Sequence, residues 1–258
     1  MGIDNGVALV AGGNGDIGQA ICRRLGEAGH TLVVSCLSTA KADVALAQLA
    51  ESGISATSVI LDVRDDDSCK QAIAEIVARH GGLSTLVNCA GVSYIAPVLI
   101  GKTEEWQRVV DVNTMGAFRL CRAALRPMIR RRSGRIIHVG SISAEVGAPY
   151  NAIYAASKAA VGGMVRSLAL EVAGTGITVN AVQPGYVKTK LFAQTQSARA
   201  RIKGVTLEQH EQDLVDDTPT GRLVTPEDVA SLVNYLATDE SQSITGQALN
   251  VDGGRTAN

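Results

Sequence analysis

Short apolar runs alternate with amphipathic stretches along nearly the whole chain. A run that is apolar throughout indicates a strand buried on both faces of a sheet, and such runs lie at 7–11, 31–36, 56–61, 83–88, 135–139, 177–182 and 248–251. Apolar residues three and four positions apart indicate helices, and this spacing occurs at 17–28, 40–51, 65–80, 104–131, 153–173 and 226–237. The hydrophobic pattern therefore predicts strands and helices in alternation.

This alternation predicts an α/β protein built on a doubly wound parallel sheet, the Rossmann fold, because right-handed crossovers place helices on both faces. No linker rich in Pro, Gly or Ser and no repeat divides the sequence, so we expect one domain over residues 1–258. Pro127 predicts a kink or an end in the helix at 104–131. Ligands of such sheets bind beyond the carboxyl ends of the strands.

Composition and charge exclude several classes of partner. The chain has 258 residues, is 46% apolar and carries a net charge of -1, so neither nucleic acid nor an anionic membrane is expected as a partner. No apolar stretch approaches the ~20 residues that span a bilayer, and the N-terminal MGIDNGVALV lacks the pattern of a signal peptide. The five cysteines have no metal-binding spacing. We therefore expect a cytoplasmic protein with reduced thiols and no metal.

The stretch GRIIHVGSISAEVGAPYNAIYAASK, residues 134–158, carries the strongest candidate for catalysis. Tyr154 and Lys158 are four residues apart, so they share one face of the predicted helix. The lysine cation favours the phenolate form of the tyrosine, which suits a general acid for a carbonyl oxygen. Ser141, in the preceding loop, can donate a second hydrogen bond to that oxygen. Taken alone, Tyr-x-x-x-Lys also occurs on amphipathic helices with a half-buried Tyr and a solvated Lys.

A glycine-rich turn, AGGNGDIG at 11–18, joins the first strand to the first helix. Small residues let the backbone approach a diphosphate group, and the helix N-terminus supplies N–H donors and a positive dipole. The position after the first strand favours nucleotide binding over a tight turn without a ligand.

Two further motifs follow the third and fourth strands. Asp62, with Val63 beside it, suits an adenine amino group and equally well a turn or helix cap. In NCAG, Asn88 can tie strand ends together through its amide, while Ala90 and Gly91 leave room for a ribose.

Polar residues in otherwise regular elements complete the set of candidates. Asn113 is unfavourable inside a helix, so it either stabilises a local irregularity or serves the site, and we favour the site. Pro184-Gly185, followed by Thr189, suits closure over a nicotinamide. His138 lies within the fifth strand and is expected to be a core histidine with its hydrogen bonds satisfied.

The ordered set of glycine-rich turn, NCAG, Ser141, Tyr154-x-x-x-Lys158 and Pro184-Gly185 resembles the short-chain dehydrogenase/reductase family, from Val7 to LNVDGG at 249–254. The resemblance implies hydride transfer between NAD(P)H and a ketone or secondary alcohol. It implies a catalytic tetrad of Asn113, Ser141, Tyr154 and Lys158. In that assignment Tyr154 is the general acid or base, and Ser141 polarises the substrate oxygen. Lys158 binds the nicotinamide ribose, and Asn113 holds a water of a proton relay.

The same resemblance implies a set of cofactor contacts. They are Gly12, Asn14, Gly15, Asp16, Ile17, Gly18, Ser38, Asp62, Val63, Asn88, Ala90, Gly91, Tyr154, Lys158, Pro184, Gly185, Val187 and Thr189. The family's turn is usually Thr-Gly-x-x-x-Gly-x-Gly, whereas this chain has Ala11 and Asp16 at the first and middle positions. We expect Gly15 to supply the flexibility and Asp16 to cap the helix, with its carboxylate directed away from the diphosphate.

The end of the second strand indicates which cofactor is bound. An NAD-specific member places Asp there for the ribose 2'-hydroxyl, whereas this chain has SCLST at 35–39, followed by Lys41. Ser38, Thr39 or Lys41 suits a 2'-phosphate, although the basic residue that many NADP-binding members carry at Gly15 or Leu37 is absent. We favour NADP(H) over NAD(H).

The least regular segment, about 186–222, corresponds in the family to a mobile lid over the substrate. It contains the basic residues Lys188, Lys190, Arg199, Arg201 and Lys203. This cluster suits an anionic coenzyme A or carrier-protein thioester, and a solvated helix pair explains it equally well. The run TPTGRLVTPEDVA at 218–230 resembles 3-oxoacyl-thioester reductases and polyketide ketoreductases.

We therefore expect a small carbonyl or alcohol substrate, in the first place a 3-oxoacyl thioester. Dehydrogenation of a sugar alcohol or hydroxy acid is the alternative, and a non-catalytic nucleotide-binding sensor or scaffold is an alternative of another class. The long helices around 104–126 and 152–173 usually form a subunit interface in the family, which implies a homotetramer.

Overall fold

The fold is seen in a computed structural model that describes residues 6–257, so residues 1–5, which bear on the signal-peptide prediction, lie outside it. Within the described residues, seven strands form one parallel sheet in the order β3-β2-β1-β4-β5-β6-β7. They are β1 (Val7–Ala11), β2 (Thr31–Cys36), β3 (Ala56–Ile60), β4 (Thr85–Asn88), β5 (Gly134–Val139), β6 (Ile177–Pro184) and β7 (Ala248–Val251). The order reverses between β1 and β4, where doubly wound sheets bind their ligands. The predicted α/β fold is confirmed.

Helices lie on both faces of this sheet. They are α1 (Asp16–Glu27), α2 (Thr39–Glu51), α3 (Asp66–His80), α4 (Thr103–Val110), α5 (Gly116–Arg131), α6 (Ala152–Val172), α7 (Lys190–Lys203), α8 (Leu207–Asp216) and α9 (Pro226–Leu236). Apart from the predicted long helix and the segment around 186–222, element bounds agree with the prediction to within two residues. None of the described helices is long and apolar enough to cross a membrane.

Alternate side chains of each strand contribute to two apolar cores. On β1, Leu9 and Ala11 belong to the core that also holds α3, α5 and α6 residues, whereas Ala8 and Val10 belong to the core with α1, α2 and α9. All four side chains are completely buried. Because successive strand residues point to opposite faces, a strand covered on both faces must be apolar throughout. The sheet is thus packed between two layers of helices, which fix the positions of the carboxyl ends of its strands.

The helix predicted at 104–131 is interrupted by a π-helical turn. Residues Asp111–Met115 form this turn between α4 and α5. Pro127 does not end the helix, because α5 continues to Arg131. A proline lacks a backbone donor and crowds the preceding turn, but the fully buried Ala124 and Met128 on either side hold this part of α5 against the core. Single π turns inside helices occur frequently at functional sites.

The segment around 186–222 contains two helices, α7 and α8; the hydrophobic pattern sets no bounds for them, but a helix pair is one explanation of the basic cluster. Thr189 caps α7, and Thr206 caps α8 as part of a capping box. A parallel bridge between Val187 and Val224 brings the two ends of the segment together. The segment therefore leaves and rejoins the body of the protein at one place. Its role as a mobile lid, and the single domain over 1–258, stay predictions.

Candidate active site

The Ser, Tyr and Lys of the predicted tetrad meet where β5 ends and α6 begins. The Ser141 Oγ accepts a hydrogen bond from the Ser143 N–H at 3.1 Å, at the start of a short 3-10 turn. Tyr154 and Lys158 lie one turn apart on α6, with the Lys158 Nζ 5.7 Å from the centre of the Tyr154 ring. Lys158 is 8% exposed, and its Nζ donates to the Val139 carbonyl at 2.8 Å. The strand end thus fixes the ammonium beside the phenol, and the three side chains line one cavity.

The fourth member, Asn113, lies in the π turn behind this cavity. It is 2% exposed. Its Oδ1 accepts from the Val92 N–H and its Nδ2 donates to the Val92 carbonyl, both at 2.9 Å. The Nδ2 also donates to the Ser157 Oγ at 3.0 Å. Asn113 therefore occupies a local irregularity of the helix and joins the chain after β4 to α6 beside Lys158. That it serves the reaction stays a prediction.

The glycine-rich turn approaches the neighbouring backbone too closely for larger residues. A Cβ on Gly12, whose φ is +74°, would lie 2.9 Å from the Ala90 nitrogen, and one on Gly18 would lie 2.5 Å from the Gly12 carbonyl oxygen. The Gly15 N–H donates to that same carbonyl at 3.2 Å and closes the turn. Only glycine suits Gly12 and Gly18, so the turn presents bare backbone at the N-terminus of α1.

Asp16 does not cap α1, contrary to the expectation. Gly15 is the N-cap, with the extended backbone that this position needs, and Asp16 is the first helical residue. The Asp16 Oδ2 instead accepts a hydrogen bond from the Lys190 backbone N–H at 2.6 Å, at the first residue of α7. A carboxylate at a helix N-terminus is favourable. Asp16 thereby connects the glycine turn to α7.

Asn88 ties the ends of β4 and β5 together. Its Oδ1 accepts from the Ala90 N–H at 3.1 Å, and its Nδ2 donates to the Nδ1 of His138 at 3.4 Å. The Nε2 of His138 lies 3.2 Å from the Cys121 Sγ. Burial, helped by the charge of Lys158, lowers the pKa of His138 to about 3, so the ring is neutral. His138 is a core histidine, as expected.

The residues expected at the adenine end have other partners. The Asp62 carboxylate makes a 2.6 Å ion pair with Arg64, which holds its pKa below the usual range. Asp65, rather than Asp62, caps α3. Val63 is buried in the core, so only its backbone can reach a ligand. Ser38 caps α2 by accepting from the N–H three residues on, and its hydroxyl stays at the exposed end of β2.

The chain beyond β6 leads from the sheet into the cavity. The Gly185 N–H donates to the Val251 carbonyl at 2.9 Å, which fixes the Pro184-Gly185 turn against β7. Val187 is 6% exposed, and the Thr189 Oγ1 caps α7. Several predicted cofactor residues line the same cavity as the tetrad, namely Ile17, Gly91, Pro184, Gly185, Val187 and Thr189.

Part of the cavity wall was not among the predicted catalytic and cofactor-binding residues, although Arg199 belongs to the basic cluster considered for substrate binding. The cavity has a volume of about 440 Å³, and its wall includes Ser143, Asn151, Tyr186, Phe192, Gln196 and Arg199. The Tyr186 and Phe192 rings meet edge to face, 6.4 Å between centres. Residues 192, 196 and 199 have the i, i+4, i+7 spacing of one helical face, the signal that would have placed them together.

Known proteins match this chain in sequence over nearly its full length. A family model described as enoyl-(acyl carrier protein) reductase matches residues 11–256. A 3-oxoacyl-(acyl-carrier-protein) reductase of Vibrio cholerae is 36% identical over 254 residues, 98% of each chain. The chain belongs to the short-chain dehydrogenase/reductase family.

Solved structures show the same relationship. An actinorhodin polyketide ketoreductase with NADPH superposes with a TM-score of 0.94 at 36% identity, covering 98% of both chains. An NAD+-bound xylitol dehydrogenase gives a TM-score of 0.93 at 28% identity, covering 98% of this chain and 99% of the other. As a short-chain dehydrogenase/reductase, this chain is an NAD(P)-dependent oxidoreductase acting on a ketone or secondary alcohol.

The residues present fit such a cofactor. The glycine turn presents bare backbone at the N-terminus of α1, and no side chain caps that end of the helix, so it suits a diphosphate. The Lys158 ammonium has three donors, of which one is used by Val139, so two are left for ribose hydroxyls. The nicotinamide supplies the hydride, and the protein orients it.

Proposed function

We propose that this protein reduces the ketone of a 3-oxoacyl thioester with NAD(P)H. The observation that carries the proposal is the meeting of Ser141, Tyr154 and Lys158 in one cavity, next to the glycine turn. The names of the Vibrio cholerae and actinorhodin relatives support an oxoacyl substrate.

In this proposal each side chain has a defined task. Tyr154 gives its phenolic proton to the ketone oxygen. Ser141 donates to the same oxygen, because its Oγ accepts from Ser143 and keeps its own proton free. Lys158, held by the strand end, supplies positive charge beside the phenol and donates to the ribose. The water relay through Asn113 stays part of the proposal.

Absorbance at 340 nm tests the proposal directly. Purified protein with NADPH or NADH is given acetoacetyl-CoA, and D-3-hydroxybutyrate with the oxidised cofactors tests the alternative. Replacing Tyr154 with Phe removes the proton and keeps the ring, so kcat is expected to fall by about 10²- to 10⁴-fold. The matched control is Tyr235→Phe, on the exposed face of α9. Equal turnover by Tyr154→Phe and wild type would refute the assignment. Tight cofactor binding without any turnover would instead favour the sensor function.

We propose NADP(H) as the preferred cofactor. No acidic residue follows β2, and Leu37 and Ser38 are exposed there, so nothing at this position repels a 2'-phosphate. Titration of intrinsic fluorescence is expected to give a lower Kd for NADPH than for NADH. Leu37→Asp should shift the preference toward NADH, because a carboxylate repels the phosphate and accepts from a 2'-hydroxyl. An unchanged ratio of the two Kd values would contradict the proposal.

We also propose a cytoplasmic homotetramer. Large apolar side chains are exposed on α5 and α6, the helices expected at the interface, with Phe118 48% and Leu170 81% exposed, and this exposure supports association through them. Sedimentation is expected to give four chains at micromolar concentration, and Phe118→Glu should yield smaller species. A wild-type monomer at that concentration would refute the assembly.

A further inference from the structure

Arg199 is a buried cation in the wall of the substrate cavity. It lies on α7 and is 8% exposed. It lines the cavity together with Ser141 and Tyr154. The other basic residues of the predicted cluster on this segment, Lys188 among them, are exposed, with 74% of the Lys188 side chain accessible. The structure therefore separates Arg199 from the solvated cluster and places it in the wall of the cavity that holds Ser141 and Tyr154.

No carboxylate neutralises this guanidinium in residues 6–257. None of the ion pairs found there includes Arg199. Asp217 lines the same cavity, but it pairs with Arg255 at 3.2 Å. The Arg199 Nε has no hydrogen-bond partner in the described part of the chain. Burial lowers the pKa of Arg199, with Tyr186 and Tyr154 acting in the opposite direction.

The neighbours of Arg199 orient it without neutralising it. Its Nη1 donates to the Gln196 Oε1 at 3.4 Å. The same oxygen lies 3.2 Å from the His210 Nε2, and the Lys203 Nζ lies 3.5 Å from the His210 Nδ1. Burial, with the charges of Lys203 and Arg199, lowers the pKa of His210. A ring that accepts at Nδ1 and donates at Nε2 is neutral. The network is built of neutral groups and cations, so the positive charge of Arg199 stays without a counter-ion in the cavity wall.

A buried charge destabilises the folded protein unless an opposite charge or hydrogen-bond acceptor pairs with it. Guanidinium groups are suited to oxygen acceptors, through fixed and parallel N–H donors. Ser141 and Tyr154 already account for the reacting ketone oxygen in the proposed function. A 3-oxoacyl group has a second oxygen, on the acyl carbon two positions from the ketone, which a simple ketone lacks.

We propose that Arg199 binds the acyl oxygen of the substrate and so selects 3-oxoacyl compounds over simple ketones. This inference rests on the proposed function, since it assigns the second oxygen of the same substrate. The acceptor is either a thioester carbonyl or the carboxylate of a free 3-oxo acid, and both present an oxygen on the same carbon. A hydrogen bond to a charged group predicts a loss of about 10- to 100-fold in kcat/KM when the guanidinium is removed.

The test compares Arg199→Gln and Arg199→Lys with wild type on three substrates: acetoacetyl-N-acetylcysteamine, acetoacetate and cyclohexanone. Both variants are expected to lose kcat/KM for the first two, mainly through KM, and to keep cyclohexanone turnover within about threefold of wild type. A larger loss for acetoacetate identifies the acceptor as carboxylate, and a larger loss for the thioester identifies it as the thioester carbonyl. Arg130→Gln, an exposed cation on α5, is the matched control and should change none of the three rates.

Thermal unfolding distinguishes binding from a structural role. Because Arg199 lacks a counter-ion, Arg199→Gln is expected to keep or raise the Tm, whereas loss of a structural arginine would lower it. Equal losses on all three substrates, or no loss on any, would overturn the assignment of Arg199. Wild-type enzyme that reduces cyclohexanone but neither 3-oxoacyl compound would instead overturn the proposed function.

Discussion

Removal of the Asn113 side chain should weaken the protein as well as the reaction. The amide makes three buried hydrogen bonds of 2.9 to 3.0 Å, two to Val92 and one to Ser157. Asn113→Ala breaks all three and leaves buried partners without a substitute. At about 1 kcal/mol for each hydrogen bond, the expected loss in the free energy of unfolding is about 3 kcal/mol. For a chain of this size that corresponds to a fall in Tm of roughly 6 to 12 °C.

A second buried asparagine provides a matched control. Asn180 on β6 is fully buried and clamps a loop in the same way, donating to the Ile244 carbonyl at 2.7 Å and accepting from the Gln247 N–H at 3.1 Å. Asn180→Ala breaks two hydrogen bonds, so about 2 kcal/mol should be lost. Only Asn113 connects Val92, next to the cavity residue Gly91, to α6. Its loss should therefore lower kcat as well, whereas Asn180→Ala should leave kcat unchanged.

Differential scanning calorimetry and steady-state kinetics at 20 °C would measure both effects on folded protein. The reasoning is refuted if Asn113→Ala lowers the Tm by less than about 2 °C. It is also refuted if Asn180→Ala lowers kcat as much as Asn113→Ala does, since the kinetic loss would then be a general effect of instability.

Three further outcomes are expected. Gly18→Ala places a methyl group against the Gly12 carbonyl oxygen. Calorimetric titration should show a Kd for NADPH raised by roughly 10- to 100-fold. Gly163→Ala, where the added methyl group meets open space, should leave that Kd unchanged. Asp16→Asn removes a negative charge near the diphosphate and should lower that Kd about threefold, with a smaller difference at high salt; no effect of salt would contradict a charge effect. His138 has a folded pKa of about 3 against ~6.5 unfolded, so only the unfolded chain takes up a proton as pH falls below 6.5. Wild type should therefore lose about 2 kcal/mol more than His138→Gln between pH 7 and 5, and parallel profiles of Tm against pH would exclude this explanation.

The sheet and its helices could be predicted because local pattern and tertiary environment agree there. Apolar strands such as β1 need two covered faces, and the helical spacing of α1 and α3 supplies the covers. The placement of Tyr154 beside Lys158 and the position of the glycine turn were likewise predictable, since the first two are neighbours on one helix and the turn is continuous in sequence.

Long-range contacts account for what the sequence did not reveal. The partner of Asp16 is the backbone of Lys190, 174 positions away, and nothing local predicts that pairing. Arg199 was grouped with exposed lysines because charge along the chain does not show which side of α7 is covered. The π turn depends on where Asn113 finds its partners, and those partners lie on two other parts of the fold.

The π turn at Asp111–Met115 also limits which insertions and deletions the sequence can accept. Each residue added to or removed from a helix rotates everything beyond it by about 100° and moves it by about 1.5 Å. Deletion of one residue there would restore a regular helix, but it would turn α4 away from α6 or Asn113 away from Val92. Insertions and deletions should therefore be tolerated on the exposed loops and rejected at this turn. In a deep library of length variants, the region around Asn113 is expected to remain fixed in length.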